Sequence, residues 1–485
     1  MAYEHGINIK ENSTSVTPPV QNIGGVLIAA GIAPVHFSAD PFAVTNVPIL
    51  ANNFGEAKSK LGYSENFSKY TLCEAMFAAL QLASVGPVVF INVLDPTVHK
   101  TVVTDAALTI AKGAAIINDE GVLLSTVRLK SSDGTKTFEK DKDYTISFNA
   151  ADKPAITVLT SGTIGVATAA KVTYDKVDAS KVTKADVIGG YDSAAGKYKG
   201  LELVQQVYPR LGVVPGLLIA PGFSQYPDVY AVMVAKVQKI NGSFNADVAA
   251  DIDTTTVTKY EDVPTWKNDN GYTNAKSSVL WPKTKIGTRI LHASSIYAAS
   301  LKALDATTED VPAESPSNKS IAISGACLAN GTEVYLDPVQ ANYLNGQGIV
   351  TFINWGGWKV WGNNTAAYPG TTDPKDRFIN LRRLMNWWGN SFVLTFWNEI
   401  DDLTSTRLIE GIVDSENIRA NGLVAAGYIA GASIEFREED NPQTDILNGK
   451  ITFLTKIGGY TPAEQIVNTL EFDPTFMTNS LFGGA

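Results

Sequence analysis

Two runs near the end of the chain alternate with period 2, and the link between them restricts the fold more than any other stretch. In the first run Ile451, Phe453 and Ile457 share one side, with Thr452 and Lys456 opposite. In the second Ile466, Leu470 and Phe472 share one side, with Val467, Thr469 and Glu471 opposite. Such alternation marks half-buried strands. The link, Gly458-Gly459-Tyr460-Thr461-Pro462, is longer than the two-residue loop of a tight hairpin. The last strand is therefore expected either to close its own sheet or to pair with a sheet elsewhere. The residues themselves leave both open.

Ahead of these runs the pattern is mixed α/β. Residues 1–20 form an arm: Ile7 and Ile9 alternate weakly with Asn8 and Lys10, and Pro18-Pro19 closes the segment. The arm has too few apolar groups to fold alone. Residues 21–96 begin an α/β region, with buried strands at 24–30 and 87–94 and helices at 54–61 and 69–84. Residues 97–188 change texture, with short β runs at 122–129, 144–148, 155–159 and 170–174 separated by turn signals such as Asp133-Gly134. That spacing predicts a small β-sandwich inserted into the α/β region. The α/β rhythm resumes over 189–370, with helices at 200–208, 228–240 and 289–304 and strands at 216–220, 246–251 and 349–353. The polar stretch 253–288 reads as loop. Residues 371–473 then carry two helices, 376–397 and 403–421, before the alternating runs, and 474–485 form a tail.

Composition limits the function. The chain has 485 residues and a net charge of −10, which disfavours nucleic-acid binding. Its 45% hydrophobic and 18% charged content is that of a folded protein. Two cysteines, Cys73 and Cys327, sit in apolar runs and read as buried free thiols. The opening MAYEHGINIKENSTS lacks the basic and apolar regions of a signal peptide, and no run is long and apolar enough to cross a membrane.

Motifs for chemistry are weak. His5, His36, His99 and His292 are scattered, which gives a metal little to bind, and no cofactor is expected. Gly196-Lys197 resembles the end of a phosphate loop, but Tyr191 and Tyr198 stand where that loop needs Gly and Ser or Thr. Pro221-Gly222-Phe223-Ser224-Gln225-Tyr226 resembles a nucleophile elbow without its second glycine. Ser224 with His292 as base would make a subtilisin-like hydrolase. Trp355, Trp358, Trp361, Tyr368, Trp387, Trp388 and Trp397 could build a carbohydrate platform on a surface protein, or serve a core or subunit contact.

A resemblance favours a third reading. Leu344-Asn345-Gly346-Gln347-Gly348-Ile349-Val350-Thr351, then Ile353-Asn354, Gly357-Trp358 and Trp361-Gly362-Asn363, resemble the contractile tail sheath family of phages and phage-like injection particles. Pro316-Ser317-Asn318-Lys319, then Phe378, Asn380, Arg382 and Arg383, then Asn448-Gly449-Lys450 and Thr461-Pro462-Ala463-Glu464, match family elements in the same order.

The resemblance implies a structural subunit rather than an enzyme. Its fold would be α/β: a subtilisin-like core without catalytic residues, an inserted β-sandwich domain, an α+β C-terminal domain and two extended arms. It would polymerise helically with itself around an inner tail tube, contact baseplate and tail terminator proteins, and contract to drive the tube through an envelope. It would assemble in the bacterial cytoplasm, with no nucleic acid and no membrane insertion. Strands donated to neighbours would lie at 6–15, with Ile7 and Ile9, and at 464–472, with Ile466, Leu470 and Phe472. Receiving strands would lie at 433–437, with Ser433, Glu435 and Arg437, and at 450–457, with Ile451 and Phe453. Pro18, Pro19, Gly458, Gly459 and Pro462 would act as hinges. Arg382, Arg383, Glu399, Asp401, Asp402, Arg407 and Glu410 are the candidates for the tube-facing side.

Overall fold

An apolar strand flanked by helices can be buried on both faces, and VLIAAG at Val26–Gly31 (β1) is buried along its whole length. The computed structural model describes residues 25–483. The expectations for Ile7, Ile9, Pro18 and Pro19 lie outside that range. β1 sits inside an 8-stranded sheet with Pro48–Ala51 (β2), Val88–Asn92 (β3), Pro215–Ile219 (β4), Asp247–Asp251 (β5), Ser277–Leu280 (β6), Ile349–Asn354 (β7) and Trp358–Trp361 (β8), in the order β2-β3-β1-β4-β5-β6-β7-β8. Strands β3, β1, β4, β5, β6 and β7 run parallel. The two edge strands, β2 and β8, are antiparallel to their neighbours. Helices cover both faces, including Thr71–Ala75 with its continuation Met76–Leu82, Pro227–Lys236, and Ala293–Ala306 (α1). Cys73 and Cys327 are buried free thiols, and burial pushes the Cys73 thiol up to about 12.

Two stretches of the main body differ from their sequence reading. The stretch 253–288, read as loop, contributes β6 to the middle of the sheet. Its Ser277-Ser278 start looks polar, yet both hydroxyls are satisfied internally: Ser277 Oγ lies 2.7 Å from the Tyr230 hydroxyl, and Ser278 Oγ 3.1 Å from the Tyr297 hydroxyl. A buried strand can carry such residues when each polar atom finds a partner. The helix expected over 289–304 is a strand, Arg289–Leu291, followed by α1. Asp251 sets the start of α1 by accepting the Ser294 N–H at 2.8 Å.

Residues 100–177 build two further sheets. Lys100–Thr109, Ala169–Val177, Arg128–Ser131 and Thr137–Phe138 form one, and Ala114–Ile116, Pro154–Val158 and Tyr144–Phe148 the other. They share a core of their own around Leu129, Tyr144, Ile156 and Val172.

The C-terminal part is built on Ile379–Phe396 (α2) and Thr406–Ala425 (α3), with the antiparallel pair Ile429–Phe436 (β9) and Phe453–Gly459 (β10). The helix read as continuous over 376–397 is broken at Phe378, whose backbone is extended, so a short turn at Pro374–Arg377 precedes α2. One side of α2 gives Leu384, Trp387 and Trp388 to a small core with Val311, Ala420 and Ile429. Another side carries polar groups into the main body. Arg383 grips Asp305 of α1 with both guanidinium nitrogens, at 2.9 and 2.5 Å. Asn386 donates to Asp247 at 2.9 Å, and Asn390 exchanges hydrogen bonds with the Asn245 backbone at 2.7 and 2.8 Å. Burial pushes the Asp247 carboxyl up, and Arg383 partly offsets this.

Two stability predictions follow from these buried charges. Arg383→Leu leaves Asp305 buried with only Lys302, whose Nζ lies 3.2 Å away. The variant should lose about 3 kcal/mol in urea unfolding, the lower end of the cost of breaking a buried pair. Lys267 is buried, with its Nζ 3.4 Å from the Tyr368 carbonyl, and burial lowers its amine to about 8. Above that value the folded protein has released a proton that the unfolded chain, with an amine near ~10.4, still binds. Stability should therefore rise as pH climbs from about 8 toward about 10. Lys267→Met should remove that rise and be the more stable protein at pH ~7, by thermal unfolding across a pH series.

Candidate assembly interface

A two-stranded sheet has two outer edges, and here they differ. The register pairs Ile434 with Thr455, Phe436 with Phe453 and Ala432 with Ile457. Ile434 does not use its backbone toward β10. Its N–H donates to Asn417 Oδ1 at 3.1 Å, and its C=O accepts from Asn417 Nδ2 at 3.3 Å. In an antiparallel ladder, hydrogen-bonded and non-hydrogen-bonded pairs alternate. Ile434–Thr455 is thus a non-hydrogen-bonded pair, and Thr455, with Phe453 and Ile457 in the same phase, turns its backbone outward. Thr452, in the opposite phase, is held on the inner side by the Asn441 side chain at 2.7 and 2.8 Å. Among the described residues no third strand joins this sheet.

The chain then leaves the sheet. Asn380 Nδ2 holds the Tyr460 carbonyl at 3.1 Å, and Arg377 forms an ion pair with Glu464. The Arg377 guanidinium is itself fixed over the Tyr368 and Phe378 rings, 4.5 Å from each centroid. This root and the core enclose an open polar cleft of about 750 Å³ lined by Asn318, Trp361, Asn364 and Pro462 among others. Beyond Glu464 the segment to Asp473 has no regular structure, and Ile466, Leu470 and Phe472 are 87%, 87% and 83% exposed. A short helix, Pro474–Phe482 (α4), follows with Phe476, Met477, Leu481 and Phe482 exposed as well. Contiguous exposed apolar surface of this kind marks a contact site.

The other sequence candidates fall in three groups. Ser433 and Glu435 lie in β9 and Phe453 in β10, while Ile451 precedes β10 and Arg437 follows β9, paired with Glu439 and Asp440. Gly458 and Gly459 are the last residues of β10 rather than a free hinge. A Cβ on Gly459 would come within 2.5 Å of Leu381 Cδ2 and 2.9 Å of Leu384 Cδ2, so this glycine permits close packing on α2. Arg382 and Arg383 do not face outward. Arg383 is 6% exposed on Asp305, and Arg382 is spent on Asp376 at 2.9 Å and Asn386 at 3.2 Å. Asp401, Asp402, Arg407 and Glu410 are exposed and Glu399 half-buried around the turn between α2 and α3. That turn also exposes Trp397, Ile400 and Leu403, which the sequence reading passed over for this role or did not single out.

The hydrolase constellation is not assembled. Ser224 is fully buried and donates to Asp251 at 2.9 Å. His292 is held by Glu74 at 3.0 Å and by Lys283 at 2.7 Å. These groups stand beyond the ends of β1 and β4, where strand order reverses and α/β sheets ordinarily bind ligands. Here side chains fill the space: a Cβ on Gly222 would already touch Thr71 Cγ2 at 2.9 Å. The tryptophans form no single platform, since Trp387 and Trp388 are buried core while Trp355 and Trp397 lie exposed in separate turns. Asn417 and Asn441 leave no signal in the sequence because a side chain that completes a backbone ladder makes no local pattern, and Arg377 leaves none because Glu464 is 87 positions away.

Among the described residues the chain thus combines an α/β body, a two-stranded sheet and an exposed apolar C-terminal segment. No protein-family model matches the chain. The tail sheath protein of Burkholderia phage BcepMu is 26% identical over 497 residues, covering 99% of this chain and 99% of that protein. The tail sheath protein of Escherichia phage P2 is 24% identical over 56% of this chain and 66% of that protein. A chain in the anti-feeding prophage baseplate structure matches with a TM-score of 0.58 at 14% identity, covering 98% of this chain and 100% of that one. A chain in the PVC sheath complex, an extracellular contractile injection system in its contracted state, matches with a TM-score of 0.58 at 12% identity, over 98% and 99%. Over its whole length the chain is similar to contractile tail sheath proteins. It is a sheath subunit of a phage or phage-like tail, a structural protein and not an enzyme. Among the described residues no helix is long and apolar enough to cross a membrane.

The Gly459 contact gives a prediction opposite to that of a hinge. Gly459→Ala should destabilise the isolated subunit by about 1–3 kcal/mol through overpacking against Leu381 and Leu384. Thermal unfolding of the two proteins measures it.

Proposed function

We propose that this subunit polymerises helically by giving its C-terminal arm to the small sheet of a neighbouring copy, around an inner tail tube that contraction drives through a cell envelope. The carrying observation is the mismatch within one chain. The arm exposes Ile466, Leu470 and Phe472 although the sheet beside its root has an open edge. Burying these side chains is worth about 1.5–3 kcal/mol each, and strand addition supplies backbone hydrogen bonds besides. A head-to-tail contact produces a helical polymer when the rotation between subunits does not close into a ring. Residues 1–20 would form the second arm.

The α/β body supports a subtilisin-like reading of the core, with the catalytic position filled as described. Contraction needs no nucleotide if the extended polymer is metastable and its subunits repack while the arms keep them linked. Asp401, Asp402, Arg407 and Glu410, with Glu399, are the groups we assign to the tube side. Exposed charged groups suit a grip that must release, and Trp397, Ile400 and Leu403 beside them add apolar contact. Baseplate and tail terminator proteins would bind the two ends of the polymer, and assembly would take place in the bacterial cytoplasm.

Negative-stain microscopy of the purified protein tests this reading. The full chain should form tubes or short cylinders. Truncation after Gln465 keeps the Arg377–Glu464 pair and removes the exposed arm. It should give a folded subunit of unchanged melting temperature that forms no tubes. Tubes of normal length from the truncated chain would overturn the proposal.

A further inference from the structure

We propose that Lys276 and Asn245 join in an intramolecular isopeptide bond, formed by attack of the Lys276 amine on the Asn245 carboxamide with loss of ammonia, beside the buried carboxyl of Asp247. The bond staples the chain entering β5 to the chain entering β6, two neighbouring parallel strands of the main sheet.

Strand register brings the three groups together. Val248 pairs with Ser277, which sets Lys276 opposite Asp247, and Asn245 stands two residues before Asp247. Lys276 Nζ lies 2.5 Å from Asn245 Oδ1. The Asn245 Cγ is one carbonyl bond from that oxygen, so Nζ is no more than about 3.7 Å from the carbon it attacks. Reacting atoms held ~3–3.5 Å apart are poised for reaction. The Lys239 N–H faces the same Oδ1 from 3.5 Å, where it supports the oxygen as negative charge develops. The Asn245 backbone is pinned, because Asn390 of α2 holds its N–H at 2.8 Å and its C=O at 2.7 Å.

The surroundings favour the neutral forms that the reaction uses. Burial lowers the Lys276 amine, with Asp247 partly offsetting this, and burial pushes the Asp247 carboxyl up. A desolvated amine keeps a free lone pair, and a desolvated carboxyl keeps its proton. Asp247 is 8% exposed, and Asn386 donates to its Oδ1 at 2.9 Å, which leaves Oδ2 to carry that proton. The Nζ–Cγ bond forms and the Cγ–Nδ2 bond of Asn245 breaks. Asp247 gives its proton to the departing nitrogen and takes one from Nζ in return, so the carboxyl is restored and ammonia leaves. No oxidant, metal or nucleotide enters the balance. Asn386 and Asn390 attach α2 at this same point, so a pull on the C-terminal part passes to two strands instead of one.

Intact-mass spectrometry and peptide mapping of the full-length protein test the bond. The folded chain should be lighter than its sequence mass by one ammonia. Trypsin should spare the peptide bond after Lys276, and the peptides holding Asn245 and Lys276 should appear as one branched species. An unchanged mass with two separate peptides would overturn the proposal. So would an ammonia loss that maps to another asparagine, such as Asn345 or Asn448, each followed by glycine. The wild-type chain decides this alone, whether or not a variant folds. Lys276→Arg keeps the cation and should restore the full mass; an ammonia loss that persists there would count against the bond. Asp247→Asn keeps an acceptor for Asn386 and should accumulate unlinked chain, since general acid–base help is worth about 100-fold or more. Complete linking in that variant would overturn the role given to Asp247.

Discussion

The buried grip of Arg383 on Asp305 is the contact on which the rest of the assembly geometry depends. Asp305 belongs to α1, which packs on the main sheet, and Arg383 to α2, which carries the small sheet and the arm. Breaking such a pair leaves Asp305 in a dry site with Lys302 as its remaining partner, at a cost of about 3 kcal/mol. Asn386 on Asp247 and Asn390 on the Asn245 backbone add directional bonds along the same helix face. A junction of this kind has one good geometry and no graded series of others. The main body and the C-terminal sheet are therefore one mechanical piece.

Mobility is then confined to what lies outside that piece. The chain from Tyr460 to Glu464 is tied back to Asn380 and Arg377. After Glu464 the side chains are exposed. A sheath that shortens must keep its subunits connected while their surfaces slide. A strand paired by backbone hydrogen bonds on a flexible lead does this, because the ladder holds irrespective of the angle at which the lead arrives. The asymmetry of the two sheet edges adds specificity. On β9, Asn417 occupies both backbone hydrogen-bonding groups of Ile434.

Much of the fold was legible where burial writes a period into the sequence. β1, β4, β5 and β7 read as strands from continuous apolar runs, and β9 and β10 from the resemblance and the alternation. β6 was missed because Ser277 and Ser278 are polar in sequence but bonded to Tyr230 and Tyr297 in the core. Arg383 reads as a surface charge because its partner is not local: Asp305 is 78 positions away. Glycines 458 and 459 read as a hinge, since a glycine that admits Leu381 and Leu384 looks the same in sequence as one that bends. The alternation at 464–472 is visible in the sequence, but the segment forms no strand among the described residues. The elements matched at 380 and 461–464 meet at the arm root.

The most direct test of this account is a pair of cryo-EM reconstructions of the polymer, extended and contracted, compared within single subunits. The account predicts that the main sheet, α1, α2, α3, β9 and β10 superpose as one body in both states with the Arg383–Asp305 pair intact, and that the backbone changes direction beyond Glu464. A rotation of α2 and the small sheet against the main sheet, with that pair broken in one state, would contradict it.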